Sequence, residues 1–68
     1  MMLSARNQIK GKVKSAKLGK VMAEVVIDAR GIEIVSLISL ESAQKMNLKA
    51  GDEVTAVIKS TDVIVAKD

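Results

Sequence analysis

Two short polar segments concentrate the side chains that could bind an anion. Ser4-Ala5-Arg6-Asn7-Gln8 lies near the start of the sequence, and Lys59-Ser60-Thr61-Asp62 lies near its end. Together they offer two cations, several hydroxyl groups and a run of backbone N–H groups. This set suits a compact tetrahedral oxyanion, which accepts hydrogen bonds from many directions. On composition alone, turn formers that bond their own backbone are the favoured interpretation of the hydroxyl residues, and the cations could be solvated surface charges, so the residues alone leave both interpretations open.

The remaining side chains argue against catalysis. The sequence contains no His, Cys or Tyr, and its eight acidic residues occur singly or in turns such as Asp52-Glu53. General acid–base catalysis, an activated nucleophile or a bare metal cation would each need a denser grouping of such residues. Four glycines are present, but they are dispersed and form no phosphate-binding loop. We therefore expect a binding protein with no catalytic residues and no organic cofactor, rather than an enzyme.

Length and composition predict one small domain that depends on self-association. The chain has 68 residues, which predicts a single domain over residues 1–68. Hydrophobic residues make up 49% of the sequence, but Phe, Tyr and Trp are absent, so burial depends on aliphatic side chains. Domains of this size usually need disulfides, a structural metal or subunit contacts, and the chain lacks Cys and His for the first two. We therefore expect a homo-oligomer.

Charge and hydropathy limit the possible partners. Eleven basic and eight acidic residues give a net charge of +3, which suits an anionic partner. A module for single-stranded nucleic acid is disfavoured, because such binding depends on bases stacking on aromatic side chains and the chain has none. A purely structural oligomerisation module remains an alternative. No apolar run approaches the roughly 18 residues that cross a bilayer, and no signal-peptide pattern is present, so we expect a cytoplasmic protein without membrane attachment.

Alternation of apolar and polar residues predicts three consecutive strands in the first half of the sequence. In the first strand, the odd-numbered residues from Ile9 to Ser15 are expected to face inward and to alternate with lysines. In the second, Val21, Ala23, Val25 and Ile27 are expected on one face, and both faces are expected to be partly covered. Gly19-Lys20 and Arg30-Gly31 supply the turns, with Gly31 suited to a positive φ. The three strands are predicted at residues 8–18, 21–29 and 32–38.

The pattern changes to helical spacing after the third strand. Ser39 is a plausible N-cap for a short helix whose apolar side is expected to contain Leu40, Ala43 and Met46, and Asn47 can end it in the left-handed conformation. Strands are then predicted at residues 53–58 and 63–66. The order β-β-β-α-β-β predicts an all-β fold with one short helix, a five-stranded barrel of the OB type.

The two polar segments also carry a family resemblance. Ser4-Ala5-Arg6-Asn7-Gln8-Ile9-Lys10-Gly11 and Ala56-Val57-Ile58-Lys59-Ser60-Thr61-Asp62-Val63 resemble the signature ends of the Mop family of molybdate-binding proteins, the molbindins. Between them, Met22 to Val26 and Ser36 to Leu40 also resemble stretches of that family. The resemblance extends over nearly the whole chain.

Membership in the Mop family would imply an OB-type barrel that assembles as a hexamer built from dimers, with oxyanions held at subunit interfaces. Carried over by position, Ser4 would donate its hydroxyl group, while Ala5 and Arg6 would donate backbone N–H groups. Lys59 would supply positive charge and Ser60 further donors, some of them to the site of a neighbouring subunit.

The resemblance implies two further properties. A second class of family site would involve Lys20 and Val21, although the chain departs from the usual pattern in this turn by having Lys20 and Met22. The implied function is intracellular storage and homeostasis of molybdate or tungstate, bound as oxyanions rather than as bare metal cations. Related domains that act as sensors are fused to regulators or transporter ATPases.

Overall fold

The computed structural model describes residues 2–68 as one antiparallel sheet with a short helix. The strands are β1 (Asn7–Leu18), β2 (Met22–Ala29), β3 (Ile32–Ser39) and β4 (Glu53–Ile58), with helix α1 (Leu40–Lys45) between the last two and a 3₁₀ turn at Ser60–Asp62. The sheet order is β3-β2-β1-β4, and every pairing is antiparallel. The predicted all-β class with one helix between the third and fourth strands is confirmed. Within residues 2–68, no helix combines the length and apolar character of a transmembrane span.

The β2–β3 connection is a two-residue hairpin at the predicted position. Arg30 and Gly31 both have positive φ, 55° and 87°, as a type I′ turn requires. The Gly31 N–H donates to the Asp28 carboxylate at 2.8 Å, which satisfies a turn donor. This turn matches the right-handed twist of the strands, so β2 and β3 remain in continuous register from Met22–Ser39 to Ala29–Ile32.

A β-bulge interrupts the predicted alternation in β1. Val13 lies opposite Ile27 and Ser15 lies opposite Val26, so one extra residue is inserted between these pairs. The insertion reverses the inward and outward positions beyond it. The prediction that Ser15 faces inward was therefore wrong: Ser15 is exposed, and Ala16 packs against the core instead.

The core is small and aliphatic. Val13, Val25, Ile27 and Ala56 form its buried centre, and partly buried side chains from β3, β4 and the segment after α1 surround them. Ala23, Val25 and Ile27, which were predicted to share one face of the second strand, are buried in β2, and so is Ala29. Val21 is an exception because β2 begins only at Met22, and the Val21 side chain is 73% exposed in the preceding turn.

Helix α1 has the predicted caps. Ser39 Oγ accepts from the Ser42 N–H at 3.1 Å, which satisfies one of the free donors of the first turn. At the other end Asn47 has φ 48°, its N–H donates to Gln44, and the Leu48 N–H donates to Ala43, which is the Schellman pattern. Met46 was predicted on the apolar side of the helix, but it is exposed.

The predicted fifth strand is absent from the described chain. Residues 63–66 form no ladder with any strand, and Val63, Ile64 and Val65 are 51%, 91% and 88% exposed. Strong β-branched patterning indicated a strand here, but a strand also needs a partner edge, and this segment leaves the sheet after the 3₁₀ turn. The sheet of residues 2–68 therefore has four strands.

Candidate functional site

The β1–β4 ladder brings the two polar segments to the same end of the sheet. Asn7 pairs with Ile58 at the outermost position, and Gln8 pairs with Val57 next to it. Because the strands are antiparallel, the residues just before β1 lie beside the residues just after β4. The two segments, about fifty positions apart in sequence, are thereby adjacent in the fold.

An open groove of ≈ 550 Å³ lies between these segments. One wall is formed by the chain before β1 and the other by the end of β4 and the 3₁₀ turn. Its polar part contains hydroxyl groups and one ammonium group, and its apolar part contains aliphatic side chains. The lining residues are Leu3, Ser4, Ala5, Val57, Lys59, Ser60 and Thr61.

The hydrogen-bond donors of the groove have no partner in the described chain. Within residues 2–68, the side chains of Ser4, Lys59, Ser60 and Thr61 take part in no hydrogen bond or ion pair. No turn, loop or side-chain hydrogen bond in that range uses the backbone N–H of Ser4, Ala5 or Arg6. The groove lining contains no carboxylate. An electropositive groove with free donors can hold a small anion by charge-assisted hydrogen bonds.

The predicted anion-binding residues fall into two groups in the structure. Ser4, Ala5, Lys59 and Ser60 line the groove together, whereas Arg6 is exposed beside it and is not among the lining residues. The sequence analysis did not select Thr61 as a site residue, although it stands in the same polar segment. Nor did it select Leu3 and Val57, because aliphatic residues carry no signal for an anion site.

A match to a protein-family model includes both polar segments of the groove. The family model of the TOBE domain matches residues 3–65, a range that includes both walls of the groove. This chain belongs to the TOBE domain family. The two polar segments predicted a resemblance to the Mop family. That prediction is confirmed, since curated relatives of this TOBE domain are named molybdenum-pterin-binding proteins.

Three similar proteins illustrate the match. Molybdenum-pterin-binding protein 1 of Clostridium pasteurianum is 54% identical over 66 residues, which cover 96% of this chain and 97% of the relative. A molybdate-binding protein from Sporomusa ovata is 40% identical with a TM-score of 0.94, covering 98% of this chain and 100% of the other. The cytoplasmic molybdate-binding protein ModG, with molybdate bound, is 46% identical with a TM-score of 0.85 over 88% of this chain and 43% of its own. The OB-type fold class predicted for this TOBE domain is confirmed, with four strands in place of five.

Two lysines on the outer face of the TOBE domain, Lys12 and Lys14, lie near acidic residues. Lys14 Nζ is 2.9 Å from Glu33 Oε2, and this hydrogen bond and the charge of Glu33 raise the pKa of Lys14 above its ordinary value. In the strand register, Lys12 lies opposite Asp28 on one side and Glu53 on the other. The acidic neighbours reduce the positive potential that a nucleic-acid backbone would require on this face.

The residues predicted for a second class of site lie elsewhere in the TOBE domain. Lys20 and Val21 are exposed in the β1–β2 turn and line none of the groove between the polar segments. The Val21 carbonyl accepts from the Leu40 N–H at 2.8 Å, which ties this turn to the start of α1. The involvement of Lys20 and Val21 in a site stays a prediction.

Proposed function

We propose that this TOBE domain binds molybdate, and tungstate by the same chemistry, in the groove between its two polar segments and stores the anion inside the cell. The observation that carries the proposal is the set of unpartnered donors in the groove, with Lys59 as its charge. The names of similar proteins support it, because two solved relatives are described as molybdate-binding. A cytoplasmic location is part of the proposal and is supported by the description of ModG.

A dianion is held by charge and by hydrogen bonds from several directions. The Lys59 ammonium supplies one positive charge, and the hydroxyl groups of Ser4, Ser60 and Thr61 donate to separate oxygens. The backbone N–H of Ala5 on the groove wall and that of the adjacent Arg6 complete the proposed donor set. All of these groups hydrogen-bond an anion without changing it chemically, so the proposed role is binding rather than catalysis.

The anion alone, rather than an organic cofactor, is the proposed ligand. The relative from Clostridium pasteurianum is named for a molybdenum pterin. A flat pterin ring is commonly held against aromatic side chains, and this sequence contains none. The free groups in the groove are hydrogen-bond donors of the kind an oxyanion requires.

A second subunit completes the site in this proposal. One Lys59 neutralises half of a dianion's charge, and the groove is open to solvent on one side. Next to it, Val63, Ile64 and Val65 expose apolar surface, and an apolar trough of ≈ 420 Å³ runs between β3 and β4. Burying this surface against another copy is favourable, at about 25 cal/mol per Å². We propose a homo-oligomer, a hexamer by analogy with the Mop family, in which the site near Lys20 and Val21 is a further anion position.

Isothermal titration calorimetry with molybdate, tungstate, sulfate and phosphate tests the proposal. Molybdate and tungstate should bind in preference to the two smaller anions. Lys59→Ala should weaken molybdate binding by about tenfold to a hundredfold, because a lost charge-assisted hydrogen bond costs about 1.5–3 kcal/mol. Ser60→Ala should weaken it less.

Lys10→Ala is the matched control, since Lys10 is exposed on β1 opposite Thr55 and lies outside the groove. Equal losses for Lys10→Ala and Lys59→Ala would contradict the groove as the site. Analytical ultracentrifugation of the same samples tests the interface part, which would be wrong if a dissociated monomer bound molybdate as tightly as the oligomer. A wild-type protein that binds no oxyanion would favour the oligomerisation module, and salt-dependent submicromolar binding to labelled oligonucleotides would favour the nucleic-acid alternative.

A further inference from the structure

We propose that Gln8 is a positioning residue of the anion groove, which holds the Ala5 carbonyl group and so keeps Ala5 in place on the groove wall. The inference rests on the function proposed above. Gln8 Nε2 donates to the Ala5 carbonyl oxygen at 2.8 Å. Within residues 2–68, this is the one hydrogen bond from a side chain to the segment of Ser4, Ala5 and Arg6.

Gln8 is suited to this role because its own backbone is held in the sheet. It lies in β1, paired with Val57 of β4, and Val57 lines the groove. Ser4, Ala5 and Arg6 precede the strand and belong to no helix or ladder. The Gln8 side chain therefore connects an ordered strand to a segment that the backbone of the sheet does not hold.

Peptide geometry gives the contact a direction. In a trans peptide the C=O of one residue and the N–H of the next point to opposite sides. When Gln8 holds the Ala5 carbonyl, the Arg6 N–H points away from Gln8. Ala5 lines the groove, so fixing this peptide also fixes Ala5 on the groove wall. Arg6 is exposed and is not among the lining residues, so the contact acts on the site through Ala5.

The test compares Gln8→Met with wild-type protein. Met has nearly the shape of Gln but cannot donate to a carbonyl, so it removes the contact with little change in packing. The variant should bind molybdate about three- to tenfold more weakly, which corresponds to about 0.65–1.4 kcal/mol. Gln44→Met is the matched control, because Gln44 is an exposed glutamine on α1. It should bind like wild type, and both variants should unfold at the wild-type temperature.

NMR distinguishes positioning from a general loss of structure. In the free wild-type protein, the backbone order parameters of Ala5 and Arg6 should approach the rigid value of about 0.85, and in Gln8→Met they should fall towards about 0.6. In wild type the Ala5 amide resonance should shift on molybdate titration. The inference is overturned if Gln8→Met binds as tightly as wild type, if Gln44→Met loses as much affinity, or if the Ala5 amide does not respond. A wild-type protein that binds no molybdate instead overturns the proposed function, and the positioning role with it.

Discussion

Substituting Gly11 with Ala should destabilise the sheet where β1 approaches β2 closely. Gly11 pairs with Val54 of β4, and the next residue, Lys12, takes part in both ladders of β1. A Cβ atom at Gly11 would lie 2.6 Å from the Asp28 carbonyl oxygen and 2.8 Å from Ile27 Cγ2. Both distances are well below the contact optimum of about 3.5–4.0 Å. Because the Asp28 oxygen belongs to the backbone of β2, a rotamer change cannot relieve the clash, and β1 must move away from β2.

The expected loss of stability follows from two opposing effects. Overpacking of this kind costs about 1–3 kcal/mol, and the need to move backbone places Gly11→Ala in the upper part of that range. Ala in a strand recovers about 0.5–1 kcal/mol relative to Gly, because the unfolded chain loses less conformational entropy. The net destabilisation is about 1–2.5 kcal/mol. For a domain of this size, that lowers the midpoint of thermal unfolding by roughly 5–20 °C.

Circular dichroism measures this shift in the unfolding midpoint. The protein concentration is kept fixed, because the midpoint of an oligomer would depend on concentration. Gly31→Ala is the control. Gly31 has φ 87°, and no atom lies within 4 Å of the place that a Cβ would occupy there, so this substitution tests backbone strain without a steric clash. Gly31→Asn should recover stability because Asn tolerates the left-handed region, whereas Gly11→Ser should not recover it. A Gly11→Ala protein as stable as wild type would refute the argument that β1 approaches β2 closely here.

Two further predictions concern a helix cap and an ion pair. Ser39→Ala should cost about 0.5–2 kcal/mol in urea unfolding, because it removes the acceptor of the Ser42 N–H, and an unchanged midpoint would contradict the cap. Glu33→Gln should lower the unfolding temperature slightly at neutral pH. Glu33 raises the pKa of Lys14, so the folded protein holds the Lys14 proton more tightly than the unfolded chain does, and this stabilises the fold. This stabilisation is fully present below the ordinary lysine pKa and disappears as pH rises through the raised value. The difference between wild type and variant should therefore vanish in alkaline solution, and a difference that persists there would have another cause.

Local signals in the sequence predicted the features that depend on local chemistry. The Arg30-Gly31 turn, the Ser39 cap and the left-handed Asn47 occur where they were expected, because each depends on the conformational preference of one or two residues. The β1 bulge was not predicted, since the extra residue is defined by the register with β2 rather than by Lys14 itself. Register is a relation between strands that apolar alternation in one strand cannot fix.

The candidate site was also predictable only in the parts that are visible in the local sequence. The hydroxyl groups and cations of the two segments were visible in the sequence, and the β1–β4 ladder brings most of them together. Leu3 and Val57 were missed because their place in the groove depends on the ends of two strands that are far apart in sequence. Val63 to Val65 were predicted as a strand from composition, which reports the tendency to pair but not whether a partner edge lies within the same chain.

The position of the groove also affects how the chain folds. β1, β2 and β3 form successive hairpins, whereas the contact of β1 with β4 closes a loop of roughly fifty residues. The entropic cost of closing this loop must be met before the last β1–β4 contacts form. The two segments flanking this closure are the walls of the groove. If the proposed site is correct, an anion bound between them would join the two segments as a reversible cross-link does. Fraying of β4 should then become slower as anion concentration rises, so hydrogen exchange in Val54 to Ile58 would report the amount of anion in solution.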